Sequence, residues 1–260
     1  MIKRRLIPVL YIKNGLIVRS EGFSYHQNIG NVVNEAHRYN EWNVDELIYI
    51  DISREKYYDL RRDDLKIKSA DSVGNIIKQI SSVCFMPLTF GGGIRNIEDV
   101  GYRIQNGADK ITLNTGAFEN PALITQAAEK YGSQAVVISI DYKNINGRPI
   151  VFTNLGQTNT DKSIFDWLKE CEDLGAGEIF LNSIDRDGKA KGYDTELVSK
   201  IVSSTRLPVI ACGGAGSLDD FVDLAKKTGV SAIAAGNIFH FTELSYPRAK
   251  ILLKKEGLNF

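Results

Sequence analysis

Eight short apolar runs, each followed by a stretch with helical periodicity, constrain this chain more than any other feature. The runs are Leu6–Leu10, Glu46–Ile50, Met86–Phe90, Lys110–Leu113, Ala135–Ile140, Glu178–Asn182, Pro208–Ala211 and Ser231–Ala234. Their composition is continuous rather than alternating, as expected of strands in a parallel sheet covered by helices. Amphipathic segments lie between them at Asn31–Tyr39, Asp71–Ile80, Asn96–Asn106, Pro121–Tyr131, Ile164–Leu174, Thr195–Ser203 and Leu218–Thr228. In the second segment, Val73, Ile76, Ile77 and Ile80 share one helix face. Eight strand–helix units predict an α/β fold, a single (β/α)8 TIM barrel over residues 1–260. The alternative is a doubly wound open sheet, but its G-x-G-x-x-G fingerprint has no counterpart here.

The chain also repeats itself. F-G-G-G-I at Phe90–Ile94 is echoed by C-G-G-A-G at Cys212–Gly216. G-A-D-K-I-T-L-N-T at Gly107–Thr115 is echoed by G-V-S-A-I-A-A-G-N at Gly229–Asn237. Gly91 and Gly213 are 122 residues apart, and so are Gly107 and Gly229. The equal offsets predict two half-barrel repeats, approximately 1–131 and 132–260. Glu46–Asp51 aligns with Glu178–Ser183 at the larger offset of 132. The first half therefore carries an extended loop after strand 2, within Ser53–Ser72. That loop is rich in charge and holds Tyr57 and Tyr58. It reads equally as a solvated insertion and as a lid or docking surface on the C-terminal face.

Lysine plus arginine and aspartate plus glutamate number 32 each, which gives no global argument for nucleic acid or an anionic membrane. No apolar run approaches the 18 residues of a membrane span. The basic opening before Leu6–Leu10 reads as the start of a buried strand rather than a signal peptide. Cys84, Cys171 and Cys212 form no C-x-x-C pair. This predicts a reducing, cytoplasmic setting without disulfides or structural zinc. His26, His37 and His240 match no metal spacing or triad, so no metal is expected.

Candidate chemistry gathers where strands end. Gly92 and Gly93 follow strand 3, and Gly213 and Gly214 follow strand 7. Asn114 and Thr115 follow strand 4, and Gly236 and Asn237 follow strand 8. Backbone N–H groups in such loops can cradle phosphate, and two sites across a barrel suit a ligand phosphorylated at both ends. The bland alternative is tight turns without a ligand. Asp51, Asp141, Asp185 and Asp187 rim the same mouth. Asp141 is the strongest candidate for proton transfer, because it ends a strand that is apolar but for Ser139. Asp187, beside Gly188, is a candidate for orienting substrate hydroxyls. Any of these carboxylates could instead cap a helix.

These residues resemble the cyclase subunit of imidazole glycerol phosphate synthase. The likeness spans nearly the whole chain. It is carried by D-E-L-I-Y-I-D-I (Asp45–Ile52), F-G-G-G-I, G-A-D-K-I-T-L-N-T, A-F-E-N-P (Ala117–Pro121), Y-G-S-Q-A-V-V (Tyr131–Val137), G-A-G-E-I (Gly175–Ile179), S-I-D-R-D-G (Ser183–Gly188), G-Y-D-T-E (Gly192–Glu196) and A-C-G-G-A-G (Ala211–Gly216). The resemblance implies a glutaminase partner on the N-terminal face. Ammonia released from glutamine there crosses the barrel, with no other cofactor. It implies a gate of Arg5, Glu46, Lys110 and Glu178, and two catalytic aspartates at the ends of strands 1 and 5. The second falls on Asp141 and the first on Tyr11.

Further departures are Arg19 for an expected lysine, and Cys212 and Gly236 for expected serines. Together these departures resemble a divergent branch associated with acetamidino-sugar biosynthesis for surface polysaccharides. The expectation is therefore an ammonia-channelling subunit, with a sugar amidotransferase docked near loop 53–72. The alternative is the histidine-pathway cyclase, converting the bisphosphorylated ribulosyl formimino carboxamide ribonucleotide and ammonia to imidazole glycerol phosphate and aminoimidazole carboxamide ribonucleotide.

Overall fold

The computed structural model describes residues 3–54 and 72–260. The strands are β1 (Arg5–Lys13), β2 (Leu16–Glu21), β3 (Tyr25–Asn31), β4 (Leu47–Asp51), β5 (Leu88–Gly91), β6 (Lys110–Leu113), β7 (Val136–Ile145), β8 (Arg148–Thr153), β9 (Thr158–Ser163), β10 (Glu178–Ser183), β11 (Val209–Cys212) and β12 (Ala232–Ala235). The helices are α1 (Val32–Glu41), α2 (Val73–Ser81), α3 (Ile97–Gln105), α4 (Thr115–Glu119), α5 (Ala122–Tyr131), α6 (Ile164–Asp173), α7 (Thr195–Ser204), α8 (Leu218–Lys227), α9 (Asn237–Phe241) and α10 (Ser245–Lys255).

Eight strands pair in parallel around a ring: β1 with β4, then β5, β6, β7, β10, β11 and β12, which returns to β1. The fold is the expected closed (β/α)8 barrel. Sequence-encoded caps start its helices. Asn31 Oδ1 accepts from the Val33 N–H at 2.8 Å, and Asn96 Oδ1 from the Asp99 N–H at 2.8 Å. Ser217 and Asp220 form a capping box on α8.

The period of two along each strand sorts the core into two layers. Leu6, Leu10 and Ile12 of β1 face outward and pack with helix residues such as Ile76, Ile80 and Leu224. Ile7, Val9 and Tyr11 face inward, with Ile48, Val137, Phe180 and Ile210. The same parity sends Arg5 to the bottom of the barrel and Tyr11 to the top.

Two features depart from the expected outline. β1 and β7 run past the barrel rim, and each continues into an antiparallel hairpin, β2–β3 and β8–β9. The turns are Asn14-Gly15 and Asn146-Gly147, with both asparagines at φ 51°. Asparagine–glycine between apolar segments is the signal for a tight hairpin turn. It explains why Asp141 lies inside β7, opposite Phe152, rather than at its end. The extended loop at Ser53–Ser72 lies outside the described residues apart from Ser53, Arg54 and Ser72. Among the described residues, no helix is long and apolar enough to cross a membrane.

Candidate active site at the barrel mouth

The two ends of the barrel differ in chemistry. At the bottom, Arg5, Glu46, Lys110 and Glu178 form a closed ring of alternating charge. Arg5 bonds Glu46 at 2.5 Å and pairs with Glu178 through its other nitrogen. Lys110 reaches Glu46 at 3.1 Å and Glu178 at 3.2 Å. Thr89 Oγ1 donates to Glu46 at 2.8 Å. Burial opposes the Arg5 charge, but its two glutamates outweigh that cost and its pKa rises. Two buried carboxylates are thus balanced by two cations, the condition for keeping charge out of water. Of the adjacent pair Asp109–Lys110, only Lys110 enters the ring. Asp109 instead accepts from the Leu88 N–H at 2.8 Å.

At the top, a cavity of about 830 Å³ opens within the barrel mouth, walled by β1, β4, β6, β7, β10 and the loop after β5. Tyr11, Asp51, Gly92, Gly93, Asn114, Thr115, Ser139, Asp141 and Asn182 line it. Asp141 is buried, and burial is the main cause that lifts its carboxyl to about 7. Ser139 Oγ opposes the shift by donating at 3.0 Å, while the nearby Asp187 charge adds to it. Asn114 Nδ2 donates to the second Asp141 oxygen at 3.2 Å. The neutral and charged forms are therefore both accessible near neutral pH, in a fixed orientation.

Asp51 also lines the cavity and accepts from the Ser53 N–H at 2.9 Å. Asp185 accepts from the Asn144 N–H at 2.7 Å. Asp187 is held by the β2–β3 hairpin. Ser20 Oγ donates to it at 2.7 Å and the Phe23 N–H at 3.3 Å.

The expected second phosphate cradle does not share the cavity wall. Gly188 lies against Ser20, and Asn237 Nδ2 donates to the Ser20 carbonyl at 2.8 Å. Gly214 packs on the Gly192 carbonyl, and Gly236 lies near the Val9 carbonyl. Gly213 abuts Ser183. Arg19 also stands apart, with its guanidinium 5.5 Å from the Tyr25 ring and 5.9 Å from Phe241. It occupies the outward face of β2, whereas Ser20 points in.

Ser139, Asn182, Ser20 and Thr112 were not candidates from sequence. Strand parity contains the missing signal, since Ser139 stands two residues before Asp141 and Asn182 four after Glu178. Among the described residues, no group of three or more His, Cys, Asp or Glu could hold a metal.

A family profile described as histidine biosynthesis protein matches residues 5–245. The chain belongs to that family. It is 41% identical to imidazole glycerol phosphate synthase subunit HisF of Sulfurisphaera tokodaii, over 99% of this chain and 98% of that protein. The same-named subunit of Thermotoga sp. is 39% identical over 100% of this chain and 98% of its own. That of Campylobacter concisus is 40% identical over 98% and 96%.

These full-length relatives overturn the acetamidino-sugar expectation. They are imidazole glycerol phosphate synthase subunits, and nothing in them points to a sugar-modifying branch. The docking of a sugar amidotransferase near loop 53–72 falls with that reading. The expectation rested on Tyr11 together with Arg19, Cys212, Gly236 and the extended loop. Tyr11 within β1 and the three other changes leave the buried Asp141, its two hydrogen-bond donors and the charged ring in place.

Proposed function

We propose that this chain is the cyclase subunit of an imidazole glycerol phosphate synthase. It converts the bisphosphorylated ribulosyl formimino carboxamide ribonucleotide and ammonia to imidazole glycerol phosphate and aminoimidazole carboxamide ribonucleotide. The observation that carries this reading is Asp141, a buried carboxyl at about 7 facing a cavity at the C-terminal mouth. Active sites of such barrels lie on that face. Ammonia that adds to a carbonyl carbon must lose a proton, and the departing oxygen must gain one. A group whose pKa matches the working pH can do both.

Gly92, Gly93, Asn114 and Thr115 are assigned to one phosphate of the substrate. Gly188, Gly213, Gly214, Gly236 and Asn237 are assigned to the other, which the β2–β3 hairpin must admit. Asp187, held through one carboxylate oxygen by Ser20 and Phe23, is assigned to orienting substrate hydroxyls. Tyr11 stands in for the first aspartate as a neutral phenol. Burial, the nearby Cys212 and the two aspartates all raise its pKa, so it donates a hydrogen bond rather than acting as a base. The ring of Arg5, Glu46, Lys110 and Glu178 is assigned to ammonia entry and to contact with a glutaminase on the N-terminal face. Its alternating pairs support both roles.

The test is a steady-state assay of the purified chain with the bisphosphate substrate and saturating ammonium at pH 8.5. Turnover on the order of 1 s⁻¹ is expected. Turnover no higher than that of Asp141→Asn would sink the reading.

A further inference from the structure

Asn182 joins Tyr11 to the site. β10 pairs with β7 in a register that sets Asn182 beside Asp141. Its Nδ2 donates to the Tyr11 hydroxyl oxygen at 3.0 Å. The side chain is 1% exposed, and its Oδ1 has no hydrogen-bond partner among the described residues. Asn182, Tyr11 and Asp141 all line the same cavity.

A phenol oxygen that accepts from an amide directs its own proton elsewhere. Among the described residues, no acceptor takes that proton. The phenol does not ionise at working pH, because burial raises its pKa well above 10.0. Buried polar atoms are generally satisfied, and leaving one unmade costs about 1–3 kcal/mol. The unpartnered carbonyl oxygen is thus left with capacity to accept one hydrogen bond.

We propose that Asn182 is a positioning residue of the cyclase reaction. It holds the Tyr11 oxygen as an acceptor and turns the phenolic proton into the cavity. Its Oδ1 takes an N–H of the nitrogen that adds to the substrate. The inference rests on the cyclase reading. It also explains how a tyrosine can stand at this position of β1, since the asparagine converts a bulky phenol into an aimed donor.

Asn182→Asp tests the direction of the bond at constant shape. An ionised carboxylate only accepts. It would draw the Tyr11 proton toward itself and away from the cavity. In the ammonium-dependent assay, Asn182→Asp is expected to lower kcat by about 10²-fold at pH 8.5, the low end for loss of a positioned group. KM should change little. The ratio of variant to wild-type kcat should recover toward acid pH, as the protonated carboxyl regains its donor. Burial places that recovery above the ordinary aspartate range. In a Tyr11→Phe background, Asn182→Asp should add no further loss.

Two results would overturn the proposal. A variant within twofold of wild type at every pH would mean that the phenol donates to the amide instead. A loss that is uniform with pH, or that multiplies with Tyr11→Phe, would mean a structural role. If Asn182→Asp fails to fold, Asn182→Leu, which removes both the donor and Oδ1, replaces it: Tyr11→Phe should add no loss on top of Asn182→Leu, and losses that multiply would overturn the proposal. Wild-type protein without turnover would sink the cyclase reading and this inference with it. Wild-type turnover with an indifferent Asn182→Asp would sink the inference alone.

Discussion

Asp141 shows what a barrel interior does to a carboxyl. It is enclosed at the top of the barrel, so burial dominates and lifts the pKa from 3.8 to about 7. The folded state therefore binds this proton more tightly than the unfolded chain. The resulting stability is fully present below pH 3.8 and is lost as pH rises through 7. Asp141→Asn should accordingly gain stability relative to wild type between these values, and level off above pH 7. The gain should reach on the order of 2–4 kcal/mol by denaturant titration at pH 8. The same variant should lose roughly 10²–10⁴-fold in kcat. A residue kept at a cost to stability while supporting turnover is what a proton-transfer group looks like. Gly92 makes the complementary case. Its φ is 97°, and an added Cβ would lie 1.9 Å from the Asp51 carbonyl oxygen. Gly92→Ala should destabilise the chain by several kcal/mol, beyond the roughly 1–3 kcal/mol of a strained backbone alone. Thermal unfolding without ligand measures it. The sequence marks this glycine as a phosphate cradle, and the backbone requires it whether or not phosphate binds.

Among the elements, the β2–β3 hairpin carries the most consequence for access. Its tip closes on Asp187 through Ser20, Phe23 and the Gly22 N–H, which donates to the Asp187 carbonyl at 3.1 Å. Ser20→Ala removes a buried donor and leaves Asp187 under-satisfied. The expected cost is about 1–3 kcal/mol. Trypsin should then cut faster after Lys13 or Arg19, while the barrel remains intact. Unchanged cleavage would mean that the hairpin is held by other contacts. The hairpin was legible in part. Asn14-Gly15 and Asn146-Gly147 stand between apolar segments in both halves, a strong short-range hairpin signal. The partner of Ser20 was not legible, because Asp187 lies 167 residues away along the chain.

At the scale of the whole molecule, the charged ring links strands from both halves of the sequence. Arg5 and Lys110 are each bonded to both Glu46 and Glu178. Removing one cation leaves two buried carboxylates sharing the other. Lys110→Met should cost about 3 kcal/mol, the lower end for breaking a buried pair, because its side chain is 20% exposed. With a glutaminase partner present, glutamine-dependent turnover should fall more than ammonium-dependent turnover. Equal losses would deny the ring any part in ammonia entry.

The sequence by itself determined the alternation of strands and helices, the closed barrel and the strand-end position of its mouth. Those follow from local periodicity and from the burial that a parallel sheet demands. It also marked Asp141 and the four ring residues, which strand parity sends inward. Tertiary structure decided what these residues meet. It joined Tyr11 to Asn182 and Ser20 to Asp187, and it set Arg19 against aromatic rings instead of the cavity. The first two contacts join residues 171 and 167 positions apart and depend on strand register, which no single stretch of sequence encodes.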